Sequence, residues 1–96
     1  MIKYLKDGEV FEEVIKEGDY IVDFYADWCG PCKMLGPVLE SLENVNVLKV
    51  DVDNFQAIAN KFAVMSIPTI IYFKDGIEIQ KEIGFRNKEQ IMGMIK

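Results

Sequence analysis

Both cysteines of this chain lie within one pentapeptide, Trp28-Cys29-Gly30-Pro31-Cys32. Thiols this close can reach each other but enclose too small a ring to brace a fold; loop entropy gives such a ring about 2 kcal/mol before strain. A pair so placed is fitted for chemistry, either thiol–disulfide exchange or metal binding. A zinc or iron–sulfur centre needs about four ligands. The chain has two cysteines and no histidine, so only a cluster bridging two chains would answer.

The elements that must position the pair alternate between strand and helix. Ile2 to Leu5 is a short apolar start, and Asp7 offers an N-cap for a helix carrying Val10, Phe11, Val14 and Ile15, ended by Gly18. Residues 20–26, Tyr-Ile-Val-Asp-Phe-Tyr-Ala, are largely β-branched and aromatic, as suits a strand buried on both faces. Beyond the cysteines, Met34, Leu35, Val38, Leu39 and Leu42 recur at helical spacing, and Pro37 should kink that helix. Val45 to Val52 is a second buried strand. Asp53 with Gln56 fits a capping box before a stripe of Phe55, Ile58, Ala59 and Phe62. Thr69 to Phe73 and Ile77 to Ile83 flank Asp75-Gly76, a strong hairpin signal. Asn87 with Gln90 caps a last helix carrying Ile91, Met94 and Ile95.

The order β-α-β-α-β-α-β-β-α predicts an α/β domain spanning residues 1–96. Right-handed crossovers make three strands parallel, the hairpin adds an antiparallel edge, and four helices cover both faces of the mixed sheet. With 96 residues, half of them apolar, and six Phe, four Tyr and one Trp, the chain can fill one core but not two. A net charge of −5 argues against nucleic acid or an anionic membrane as partner. The first residues lack the apolar core of a secretory signal, and no apolar run approaches a membrane span. The expectation is a cytoplasmic protein, in a compartment where structural disulfides are unusual.

In this order the cysteines fall at a strand-to-helix turn. Cys29 should sit at the helix N-terminus, where unpaired N–H groups and the helix dipole favour a thiolate. Cys32, one turn in, should be more buried and hold its proton longer. Cys29 is then the attacking nucleophile and Cys32 the resolving thiol. Pro31 stiffens the first turn, where its missing donor is tolerated, and Gly30 lets a partner backbone approach. Asp23, a carboxylate in an apolar strand, is either a base for Cys32 with a pKa raised by burial, or a strand residue facing solvent, or a structural partner of Lys49.

Trp28-Cys29-Gly30-Pro31-Cys32-Lys33, preceded by Val22-Asp23-Phe24-Tyr25-Ala26, resembles the active-site signature of the thioredoxin family. The resemblance covers nearly the whole chain, taking in Lys49 with Val50-Asp51-Val52-Asp53, Ile67-Pro68-Thr69, and Gly84. It implies a protein-disulfide reductase that works by dithiol exchange through a mixed disulfide, with Asp23 as proton acceptor. It further implies a cis Ile67–Pro68 bond beside the cysteines and an Ile67 backbone that pairs with a substrate strand. Trp28, Gly30, Pro31, Ile67, Gly84 and Phe85 would form the rim that receives the target. The partners implied are oxidised proteins and a thioredoxin reductase, with no bound cofactor beyond the redox-active Cys29–Cys32 disulfide, and the protein is expected to act as a monomer.

Some positions depart from the commonest pattern of the family. Tyr25 stands where a second Trp is frequent, Asp27 where Glu or Pro is common, Gly36 where Ala is usual, and Phe85 where a small residue is often found. No histidine lies between the cysteines, which favours a reductant over an oxidant. The nearest alternative, a glutaredoxin-like reductase, usually carries Pro-Tyr there. The other is a thioredoxin-fold binding module that uses the rim without redox turnover.

Overall fold

The computed structural model describes residues 1–96. Nine elements follow the expected order: β1 (Ile2–Tyr4), α1 (Phe11–Val14), β2 (Asp19–Tyr25), α2 (Gly30–Glu40), β3 (Asn46–Asp51), α3 (Gln56–Lys61), β4 (Thr69–Lys74), β5 (Ile77–Ile83) and α4 (Lys88–Met92). They build one five-stranded sheet in the order β1-β3-β2-β4-β5. β1, β3 and β2 run parallel, and β4 and β5 are antiparallel to their neighbours, giving the expected mixed sheet.

Alternation along the strands divides the core into two layers. Val22, Phe24, Leu48, Val50, Ile71 and Phe73 face one side, where Phe11, Ile15 and Ala59 bring α1 and α3 against them. Ile21, Val47, Ile70 and Tyr72 face the other, covered by Leu35 and Leu39 of α2 and by Ile91 of α4. β2 lies at the centre of both layers, and Ile21, Val22, Asp23 and Phe24 are all fully buried. Phe11 holds the first layer together, its ring centroid 5.3 Å from Phe62, 5.7 Å from Phe73 and 6.4 Å from Phe24.

The hairpin and the last cap form as their residues predict. Asp75 and Gly76 both take positive φ (49° and 81°), as a two-residue primed turn demands. Gln90 N–H donates to Asn87 Oδ1 and Asn87 N–H to Gln90 Oε1, each 2.9 Å, closing the capping box of α4. Two other caps do not form. α1 begins at Phe11 with Val10 as its N-cap and no side-chain cap. Asp7 instead accepts from Asn54 Nδ2 at 3.0 Å, and a turn closed by Lys6 N–H donating to Glu9 Oε1 precedes the helix. Asp53 does not cap α3, whose N-cap is Phe55; its carboxylate accepts the Trp28 indole N–H. Met34 lies outside the buried stripe of α2, because Leu35, Leu39 and Leu42 at i, i+4 and i+7 already span the face that meets the sheet.

The Phe11→Ala substitution removes the side chain shared by three other rings. It should cost about 3–5 kcal/mol of unfolding free energy, a large share of a small domain's stability, read as a lowered urea midpoint.

Candidate active site

β2 ends at Tyr25 and α2 begins at Gly30, so the cysteines are delivered by the short turn between them. Cys29 N–H donates to Ala26 O at 3.2 Å, and Cys29 is the N-cap of α2, with extended backbone (φ −89°, ψ 115°). Its Sγ accepts from Cys32 N–H at 3.2 Å, taking up one of the first-turn amides that have no partner within the helix. Cys29 and Cys32 are joined as a disulfide, Cα atoms 5.2 Å apart. Pro31 stands in the first turn, where a missing N–H leaves no helix bond broken. A Cβ on Gly30 would meet nothing within 4 Å, so the space above that residue is open.

The two sulfurs differ in surroundings more than in burial. Cys29 is 5% exposed and Cys32 3%, so the expected contrast in burial is slight. Cys29 Sγ lies 3.8 Å from the Ile67 carbonyl oxygen. The Ile67–Pro68 peptide is cis, as the family resemblance implied, and Gly84 N–H donates to Pro68 O at 2.7 Å. Cys32 instead lines a cavity of about 160 Å³ on the inner side, shared with Tyr4, Tyr25, Ala26, Asp27, Lys33 and Lys49.

Asp23 is the buried charge of the site. On β2 it shares the face of Ile21, and the strand register sets it opposite Lys49 of β3. Lys49 Nζ is 3.6 Å from Asp23 Oδ2, close enough for Coulomb attraction and too long for a hydrogen bond, and neither carboxylate oxygen has a hydrogen-bond partner. Burial pushes the Asp23 pKa up to about 6, against the opposing pull of the Lys49 ammonium. No group of three or more His, Cys, Asp or Glu side chains is arranged to hold a metal ion.

A second cavity, of about 350 Å³, is lined by Trp28, Val52, Val64, Met65, Ser66 and Ile67, the last of which carries the carbonyl near Cys29 Sγ. Of the expected rim, Trp28 and Ile67 line it; Gly84 is brought close through its bond to Pro68, while Phe85 is exposed and takes no part in the lining. Trp28 is 71% exposed yet fixed, its indole N–H 2.9 Å from Asp53 Oδ2. Val52 was read as a strand residue without a part in the rim, and Val64 and Met65 escaped sequence reading. Their only signal was apolar residues just before Pro68, and helical or strand spacing attaches no meaning to a loop.

The family model described as "Thioredoxin" matches residues 2–96. Thioredoxin of Staphylococcus saprophyticus is 50% identical over 91 residues, covering 90% of this chain and 88% of the relative. Thioredoxin of Chlamydia trachomatis is 45% identical, over 91% of this chain and 89% of its own. Among solved structures, a mutant thioredoxin from Halobacterium salinarum superposes with a TM-score of 0.89 at 33% identity, covering 98% of this chain and 87% of that one. Oxidised mitochondrial thioredoxin 3 from Saccharomyces cerevisiae gives 0.78 at 38% identity, over 88% and 84%. With its cysteine pair at the head of α2 and identity of this order along nine-tenths of its length, the chain belongs to the thioredoxin family of thiol–disulfide oxidoreductases.

Proposed function

We propose that this protein, acting as a single cytoplasmic domain and a monomer, reduces disulfides in other proteins and is recharged by a thioredoxin reductase. The observation that carries this reading is the two-sided setting of the disulfide. Cys29 Sγ approaches the carbonyl of Ile67, which lines the apolar cavity with Trp28, and Cys32 lines the other cavity with Lys49. The Cys29 thiolate, favoured at the head of α2, attacks one sulfur of a target disulfide. A Cys29–target bond forms, and the other target sulfur leaves as a thiolate that takes up a proton. Cys32 passes its proton to Asp23 and attacks Cys29 Sγ, and the second target sulfur leaves as a thiolate that takes up a proton from water. Two electrons have moved to the target, and Cys29–Cys32 is again a disulfide.

The groups around the sulfurs support these roles. A carboxyl with a pKa of about 6 is mostly ionised at neutral pH yet basic enough to accept a proton, and the cavity shared by Cys32 and Lys49 has room for a few water molecules to relay it. Ile67 takes part in no backbone hydrogen bond through its N–H or its C=O, so both are free to pair with an extended target segment. Trp28, Val52, Val64 and Met65 offer that segment apolar contact, and Gly30 and Pro31 leave the approach to Cys29 open. Gly84 is tied to Pro68 by its backbone N–H.

Insulin reduction driven by dithiothreitol tests the activity: the wild type should accelerate insulin precipitation and Cys29→Ser should not. A Cys29→Ser protein as active as the wild type would sink the proposal. Cys32→Ser should accumulate mixed disulfides through Cys29, which would also identify the targets. Asp23→Asn should slow release of target from the mixed disulfide at neutral pH by about 10-fold or more, as for loss of a general base, while alkylation of Cys29 proceeds nearly unchanged; an unchanged single-turnover release rate would remove Asp23 from the mechanism.

The same carboxyl makes stability depend on pH. Its pKa is raised from 3.8 unfolded to about 6 folded, so its favourable contribution is complete below 3.8 and is lost as pH rises through 6. Asp23→Asn should therefore gain about 2.5 kcal/mol of stability relative to the wild type between pH 4 and pH 8. Urea unfolding of the oxidised proteins at the two pH values measures it; an equal difference at both would show that ionisation is not the cause.

A further inference from the structure

Lys49 Nζ makes no hydrogen bond within the chain, and its 3.6 Å approach to Asp23 is too long for one. A lysine stem is flexible enough to lift its ammonium into water, yet this side chain is only 12% exposed. What surrounds the ammonium is aromatic. Nζ lies 4.6 Å from the ring centroid of Tyr25 and 5.5 Å from that of Tyr4, both within the ~6 Å over which a ring face attracts a cation. The two rings meet edge to face, centroids 6.2 Å apart and planes at 80°.

The register of the parallel strands generates the arrangement. Tyr4 of β1 pairs with Lys49 of β3, and Lys49 pairs with Asp23 of β2. Tyr25 follows Asp23 by two residues and so stands on the same face. Ring, ammonium and carboxylate thus form a row across three strands, with the second ring closing over the ammonium.

We propose that Tyr4 and Tyr25 form an aromatic clamp that holds the Lys49 ammonium beside Asp23, which makes them positioning residues for proton transfer from Cys32. The functional consequence rests on the reading of Asp23 as proton acceptor; the clamp itself is a statement about Lys49. The other titratable or charged groups around this row are Asp51 on β3, Asp27 in the turn, and Cys32 and Lys33 of α2. Burial, then Asp51, Asp27, Tyr4 and Asp23, push the Tyr25 phenol up to about 12, so its ring stays neutral across the working range.

Titration of the Asp23 carboxyl in the oxidised protein, followed by carbon NMR, tests the clamp in Tyr4→Leu, Tyr25→Leu and the double variant. Tyr4→Phe and Tyr25→Phe keep the rings, and Lys49→Met marks complete loss of the cation. The clamp predicts that Leu raises the midpoint, by about half a unit or more in the double variant and towards the Lys49→Met value, while the Phe variants titrate with the wild type. Rings that merely kept water away would give the opposite sign, since opening the cavity hydrates the carboxylate and lowers the midpoint. A fall, no change, or Phe variants that behave like Leu overturns the clamp. Tyr4 is half exposed, so Tyr4→Leu decides the question even if Tyr25→Leu does not fold. Target release from the mixed disulfide, measured against pH in the same proteins, should shift to higher pH with the midpoint. If Asp23→Asn releases target at the wild-type rate, the role of Asp23 falls while the titration still judges the clamp.

Discussion

The site depends on the burial of β2. This strand is hydrogen-bonded to a neighbour on each side and covered by helices on both faces, so every side chain from Ile21 to Phe24 is withdrawn from water. Asp23, buried in mid-strand, lies six positions before Cys29 at the head of α2. The interval between them is carried by the end of β2 and by the turn that Cys29 N–H closes onto Ala26 O. The packing that anchors α2 on the sheet through Leu35 and Leu39 therefore also fixes where the disulfide stands relative to the carboxyl.

A buried carboxyl without a hydrogen bond opposes folding, because desolvation penalises its charged form. Here the penalty is offset in part by Lys49 and expressed as a pKa near 6. The apolar layer on the far side of the sheet, centred on Phe11, Phe24, Phe62 and Phe73, bears no such penalty. Stability and chemistry are thus divided between the two faces of one sheet: an aromatic core under α1 and α3, and a partly polar interior under α2 beside the cysteines.

Much of this was legible in the order of residues. The alternation of apolar runs with Gly, Asp-Gly and Asn breaks implied all nine elements, and Trp28-Cys29-Gly30-Pro31-Cys32 marked the centre of the site. The caps were less legible. Asp7 and Asp53 have the right type for capping and the right distance from a helix, yet each carboxylate is taken by a side chain distant in sequence, Asn54 for one and Trp28 for the other. Local patterns do not record such competition. Asn87 had no distant competitor, and its box formed.

By itself the sequence indicated thiol–disulfide chemistry, through the resemblance its cysteine motif carries, and placed the cysteine pair at a strand-to-helix turn. The residues alone left Asp23 open between catalysis and structure, and the resemblance assigned it to catalysis. Tertiary structure decided that Asp23 is wholly buried, that Lys49 reaches it without a hydrogen bond, and that Tyr4 and Tyr25 close around the ammonium. It also decided that Val52, Val64 and Met65 complete the outer cavity with Trp28. The physical reason is the same for all of these. Register between parallel strands, and the meeting of a loop with the turn before a helix, join residues that are tens of positions apart, and no period along the chain encodes which ones will meet.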